Sequence, residues 1–340
     1  MSATPASNIL VVGPSWVGDM VMAQSLFITL KQQQPDCLID VLAPGWSRPL
    51  LERMPEVNAA IDMPLGHGEF GFGKRRRLGI ELRDKNYSQV IVLPNSWKSA
   101  LVPFFIGAPK RTGYIGELRY GLLNDARKLD KTILSMTVQR FCSLGLAPDA
   151  PQPPAIPTPV LSISDAGVDA ALNKHGLNKA QAILVLCPGA EYGPAKRWPE
   201  EYYAEVARYW LEKGGQVWLF GSHKDEPVTM AINALTDNCC VDLAGRTSLG
   251  EAIDLMSQAT HVVSNDSGLM HVAASLGRSL VAIYGSSDPG FTPPLNKEAK
   301  VLRLGLDCSP CFKRECPLGH LKCLRDLLPA QVIAALEQKA

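Results

Sequence analysis

Short apolar runs alternate with longer stretches of helical spacing along almost the whole chain. In the first half, runs at 8–12, 38–42, 60–63 and 90–93 predict strands, with a further short one at 111–114. In the second half the predicted strands are 182–187, 216–220, 241–244, 261–264 and 280–284, separated by helical patterns such as 200–213 and 250–259. This βα alternation predicts an α/β protein of parallel sheets covered by helices on both faces.

Between the halves, residues 148–159 hold six prolines, which suit neither a helix interior nor a central strand. The expected organisation is a Rossmann-like domain over 1–150, a stiff extended linker over 151–160 and a second Rossmann-like domain over 161–328. An amphipathic C-terminal helix over 329–340 follows, and the pattern alone does not place it. Open parallel sheets bind ligands beyond the carboxyl ends of their strands, so two such domains facing each other are expected to enclose a cleft.

Composition narrows the function classes. At 340 residues, 46% hydrophobic and 20% charged, the chain has ample material for two cores. A net charge of +1 gives no whole-molecule attraction to nucleic acid, so anion recognition must be local. The first residues lack a basic leader, and no apolar stretch approaches a membrane span, so a cytoplasmic protein without a transmembrane segment is expected. Its nine cysteines are then mostly reduced thiols. Four of them, Cys308, Cys311, Cys316 and Cys323, crowd near the C-terminus. The first pair has zinc-ligand spacing and the second does not match a common ribbon, so a fold staple is expected there and a structural metal is not favoured.

Candidate chemistry gathers where predicted strands empty into helices. At 262–271 an apolar run stops at Asp266-Ser267-Gly268 and a helical pattern begins, with His271 in its first turn. Free backbone N–H groups and the helix dipole favour a phosphate at such a terminus. Asp266 would be repelled by that phosphate, so backbone amides or hydroxyls are its expected partners. At 13–20, Gly13-Pro14-Ser15-Trp16-Val17-Gly18-Asp19-Met20 is a glycine turn that departs from the dinucleotide fingerprint and sets a carboxylate at a helix start. Asp19 there fits a helix cap as well as a general base toward a hydroxyl. The loop 187–199 carries Lys196-Arg197 just before a helix, a receptor for a diphosphate or simply a solvated pair. Residues 220–225 reach the same sheet edge with a weaker signal. Residues 66–73, glycine-rich and followed by Lys74-Arg75-Arg76-Arg77, suggest a mobile loop beside a basic patch. One domain with phosphate-friendly turns and another with a carboxylate turn suggest a nucleotide-linked donor opposite a base, as in group transfer by direct displacement with inversion.

Several of these segments together resemble the ADP-heptose:lipopolysaccharide heptosyltransferases of glycosyltransferase family 9, most nearly their heptosyltransferase II branch. The resemblance runs from residue 8 to about 295 and rests on 13–20, 63–68, 93–100, 119–125, 187–191, 195–199 and 265–271. It implies a GT-B fold and an enzyme that needs no metal for catalysis. The implied reaction moves L-glycero-D-manno-heptose from ADP-heptose to the first heptose of the lipopolysaccharide inner core, with inversion. The implied acceptor is a heptosylated Kdo-lipid A at the inner membrane surface, where a cytoplasmic enzyme would meet it peripherally.

Residue by residue, Asp19 matches the family's proposed base and Lys196 the lysine at the donor's phosphates. Asp266, Ser267, Gly268 and His271 fall in the donor-binding motif, and Glu191 and Tyr192 lie near the phosphates. Trp16, Lys98 and Arg119 are the expected acceptor contacts. The cysteine cluster falls outside the shared motifs. The competing expectations are a sugar-nucleotide epimerase or hydrolase on the same fold, and a nucleotide-binding module without turnover.

Overall fold

The computed structural model describes residues 7–66 and 68–338; residues 1–6, His67 of the glycine-rich loop and residues 339–340 lie outside the described residues. The chain divides into two compact units, Met1–Ser162 and Ile163–Ala340. The first is built on β1 (Asn8–Val12), β2 (Leu38–Ala43), β3 (Val57–Asp62), β4 (Gln89–Val92), β5 (Lys110–Tyr114) and β6 (Asp125–Arg127). These pair in parallel in the order β3-β2-β1-β4-β5-β6.

The second unit repeats the design with β7 (Ile183–Cys187), β8 (Gln216–Leu219), β9 (Val241–Asp242), β10 (His261–Asn265), β11 (Ser279–Ile283) and β12 (Lys300–Leu302). Its order is β12-β11-β10-β7-β8-β9, again parallel. In each sheet the first strand lies beside the fourth, so the chain reverses its direction of growth between β1 and β4 and between β7 and β10. At such a switch point the loops leaving adjacent strands part and open a crevice at the carboxyl ends.

The apolar runs become central strands because both their faces are covered: all five residues of β7 are buried. The edge strands were harder to read. β3 is half exposed along its length and starts three residues before the predicted 60–63 run. β6 and β12 are three-residue edge strands, charged at both ends in β6 and at the first residue in β12, and neither matches a predicted run.

The proline-rich stretch is not a free spacer. Gln24 Nε2 donates to the Val160 carbonyl at 2.7 Å and Gln24 Oε1 accepts from the Val160 amide at 3.1 Å. Ser25 Oγ donates to the Pro157 carbonyl at 2.6 Å, and the Ser162 amide to the Arg53 carbonyl at 2.8 Å. The stretch is therefore strapped along the helix Val17–Gln33, within the first unit. The C-terminal helix, Pro329–Glu337, packs on the helix Glu200–Glu212 and sinks Val332, Ala335 and Leu336 into the second unit's core.

Candidate active site

The richest chemistry of the second unit lies at its switch point. β10 ends in Asn265, and the helix Gly268–Ser275 begins three residues later. Ser267 makes the cap: its hydroxyl accepts from the Met270 amide at 3.4 Å and lies 3.2 Å from the Ser264 hydroxyl. Asp266 is thereby left for another partner. Its Oδ2 takes the Lys196 Nζ at 2.5 Å, from the loop that follows β7. The expectation that Asp266 meets amides or hydroxyls is corrected: a cation takes it, because the neighbouring serine already serves the helix end. Asp266 is 5% exposed and the Lys196 side chain 17%, so the pair is weakly screened.

His271, in the first helical turn, is 4% exposed. Burial pushes its imidazole down to about 4; Asp266 pulls it up and Lys196 pushes it down further. The ring is therefore neutral at neutral pH and offers one donor and one acceptor.

Asn265 stitches the two loops together. Its Nδ2 donates to the Pro188 carbonyl at 2.6 Å and its Oδ1 accepts from the Trp198 amide at 3.1 Å. Asn265 fixes both ends of the segment carrying Lys196, a role that no spacing rule announces in the sequence. Within that loop Tyr192 lies under the Lys196 ammonium, 5.2 Å from the ring centre, and donates its hydroxyl to the Phe312 carbonyl at 2.7 Å. Arg314 covers the same ring at 5.5 Å. Glu191 stands at the rim, paired with Lys224 at 2.5 Å. Lys224 comes from the 220–225 segment, whose sequence signal was weak, and it stands at this same rim. Asp225 beside it is turned inward, accepting from the Ser222 amide and hydroxyl at 2.9 and 2.8 Å. Arg197 leaves its buried Nε without a partner among the described residues.

In the first unit, β1 passes through the 13–16 turn into the helix Val17–Gln33. Gly13 packs closely there: a Cβ would stand 2.8 Å from Met20 Cε and 3.3 Å from Val41 Cγ1, so both side chains would have to shift. Trp16 is 43% exposed and its carbonyl accepts from the Met20 amide at 2.9 Å. Asp19 sits half-buried in the first helical turn, where the dipole favours its ionised form.

Lys98, on the short helix Trp97–Ala100, donates to the Glu69 carbonyl at 3.4 Å. Of the basic run, Arg75 is 6% exposed and holds the glycine-rich loop through the Phe70 and Glu69 carbonyls at 2.7 and 3.2 Å; Lys74, Arg76 and Arg77 are exposed.

Arg119 does not occupy the place expected of an acceptor contact. It is 0% exposed and donates to the carbonyls of Pro94, at 2.7 Å, and Tyr114, and to the Ser99 hydroxyl at 3.1 Å. Burial lowers its guanidinium to about 10, still charged at neutral pH. Its donors point into the fold, pinning the 94–99 loop that carries Lys98.

Residues 75–322 match glycosyltransferase family 9 (heptosyltransferase). The chain belongs to that family. It is 49% identical to lipopolysaccharide heptosyltransferase 2 of Escherichia coli K12, over 97% of each chain. It is 50% identical to lipooligosaccharide heptosyltransferase 2 of Haemophilus influenzae, over 87% of this chain and 88% of the relative. The solved structure of the E. coli ADP-heptose heptosyltransferase II superposes with a TM-score of 0.86 at 45% identity, over 97% of each chain. The two six-stranded parallel sheets are thus a GT-B-like α/β fold, and the protein is a glycosyltransferase of the heptosyltransferase family. Among the described residues no helix is long and apolar enough to cross a membrane.

Proposed function

We propose that the protein moves L-glycero-D-manno-heptose from ADP-heptose to a hydroxyl of the first heptose of the lipopolysaccharide inner core, inverting the anomeric centre. The observation that carries the reading is the Lys196–Asp266 pair at the start of the helix Gly268–Ser275. The ammonium has three donors, so it can keep the carboxylate and still meet a diphosphate oxygen. The helix N-terminus at Gly268 adds amides of the right polarity, and the unpartnered Arg197 Nε adds a donor. Tyr192 shapes the loop beneath the ammonium, and Glu191 edges the pocket. Neutral His271 hydrogen-bonds to the donor without adding charge.

The acceptor hydroxyl attacks the anomeric carbon as the bond to the diphosphate oxygen breaks. The electron pair leaves on ADP, whose growing charge Lys196 and the helix N-terminus stabilise. Asp19 takes the hydroxyl proton. Lys98 meets an anionic group of the acceptor, Trp16 offers an apolar face to it, and Arg119 positions the loop under Lys98. The enzyme works peripherally at the cytoplasmic face of the inner membrane, where a Kdo-lipid A acceptor presents its sugars. Exposed Phe70, Phe72, Trp97 and Phe104 beside Lys74, Arg76 and Arg77 support a role near an anionic lipid.

The deciding experiment is incubation with ADP-heptose, with and without mono-heptosylated Kdo-lipid A. The expected result is ADP release only with acceptor, together with a product heavier by one heptose. Release that ignores the acceptor would instead mark a hydrolase, and binding without release a regulatory module.

A further inference from the structure

A C-terminal segment that the transfer chemistry has not used runs across the donor loops. Residues 303–321 have neither helix nor strand, yet backbone bonds fix their middle on two loops of the second unit. On one side the Phe312 amide donates to the Ser286 carbonyl at 2.7 Å and Ser309 Oγ to the Gly285 carbonyl at 2.5 Å. Both acceptors lie in the loop that leaves β11. On the other side the Ala195 amide donates to the Arg314 carbonyl at 3.0 Å, and the Tyr192 hydroxyl to the Phe312 carbonyl at 2.7 Å. Both donors lie in the loop that leaves β7. β11 and β7 flank β10 in the sheet. Residues 312–314 thus bridge the loops on either side of the strand that leads into Asp266.

The fit is close. A Cβ on Gly193 would stand 2.6 Å from the Arg314 carbonyl oxygen and 3.0 Å from Arg314 Cα, so the segment lies backbone on backbone against the Lys196 loop. Phe312 has φ 54°, in the left-handed region that bulky residues rarely occupy. Its two backbone bonds and an edge-on contact with Phe291, 6.0 Å between ring centres, hold that turn.

The side chain delivered to the donor site is that of Arg314. Its guanidinium lies 5.5 Å from the centre of the Tyr192 ring, and the Lys196 ammonium lies 5.2 Å from the same centre. Two cations drawn to one ring repel each other, and a ring face holds each only weakly in water. Their other neighbours differ. Asp266 meets Lys196, and Glu191 meets Lys224 at the rim. Among the described residues no carboxylate pairs with the exposed Arg314 guanidinium, and no protein acceptor takes its N–H groups. A planar fork with unmatched charge beside an ammonium suits an anion with several oxygens. Both charges lie so near one ring centre that a diphosphate, hydrogen-bonded at each end, can span them.

We propose that Arg314 is a second cation of the donor site, whose guanidinium meets the diphosphate of the nucleotide sugar together with Lys196. The inference rests on the donor-site reading above. Arg314 moves no proton; it adds charge and directed N–H bonds to the departing diphosphate. Its backbone carbonyl, a separate device, holds the Lys196 loop through Ala195.

That separation makes the test clean. In the full-length chain, Arg314→Gln keeps the carbonyl, so its urea unfolding should match the parent's. Its ADP affinity, read by calorimetry, should fall on the order of tenfold. Its adenosine affinity, read as inhibition of transfer, should not change, because adenosine carries no phosphate. Arg314→Lys should recover part of the loss, as a point charge without the fork. Lys313→Gln removes the neighbouring charge and should bind ADP as the parent does. Unchanged ADP affinity in Arg314→Gln, with a loss in Lys196→Met, overturns the role of Arg314 and leaves the donor-site reading standing. Equal losses of ADP and adenosine affinity would make Arg314 a mere support of the Tyr192 loop, which also overturns the proposal. If neither Arg314→Gln nor Lys196→Met weakens ADP binding, the donor-site reading itself falls.

Discussion

The two units share a strand order but differ in how their switch-point turns are furnished. In the second, Asp266, Lys196, His271 and Asn265 are all largely buried, and the bonds of Asp266 and Asn265 tie two loops together. In the first, Asp19 is half-buried and its neighbour Trp16 is exposed, and the helix cap there is a tryptophan without a side-chain cap bond. A diphosphate is the same on every turnover and rewards a preorganised receptor. In the reaction proposed above a bulky lipid-linked sugar must enter and leave, which favours an open turn.

The largest effect expected on that contrast comes from Asp19→Asn. Transfer should fall by roughly 10²- to 10⁴-fold while ADP affinity, read by calorimetry, stays where it was; near-normal turnover would remove the base from Asp19. Lys196→Met should lower kcat by about 10²- to 10³-fold and weaken ADP binding as well. A loss confined to kcat would mean that the ammonium acts only on the departing charge.

Arg119→Met tests the scaffolding of the first unit. It leaves buried carbonyls at Pro94 and Tyr114 without their donor, at a cost of about 3 kcal/mol, visible in urea unfolding. Near-native kcat in the folded fraction would fit a positioning residue, whereas a selective rise in acceptor KM at unchanged stability would restore the contact role.

His271 gives a smaller, pH-dependent effect. Its imidazole is held at about 4 in the fold against an ordinary 6.5, so between those values the unfolded chain binds more protons. Stability should therefore fall as the pH drops from 6.5 toward 4 and then level off for this group. His271→Gln should flatten that part of the urea-midpoint profile; an unchanged slope would show the ring to be more solvated than its surroundings imply.

Much of the central architecture could be read from the chain, because strands covered on both faces need continuous apolar runs such as 183–187 and 261–265. Edge strands such as Asp125–Arg127 escape that logic, since water satisfies their outer face and no pattern is imposed. Candidate residues at strand ends stood out because an acid beside glycine, or a Lys-Arg pair, sits where a strand empties into a helix. Their partners were not. The pairing of Lys196 with Asp266 spans 70 positions, and Asn265 reads as the last residue of a strand. Arg119 shows the converse: a cation in a shared motif suggested a ligand, and only its zero exposure reveals that the fold consumes it.

The tether of Val160 to Gln24 and of Ser162 to Arg53 has one more implication. The chain stays fastened to the first unit through Ser162, and the helix Asp165–His175, capped by Ser164, opens the second. Only residues 163 and 164 therefore lie between the last residue tied to the first unit and the first helix of the second. The prolines of 148–159 thus act as a brace along the outside of the first unit, and the passage to the next fold takes almost no chain of its own.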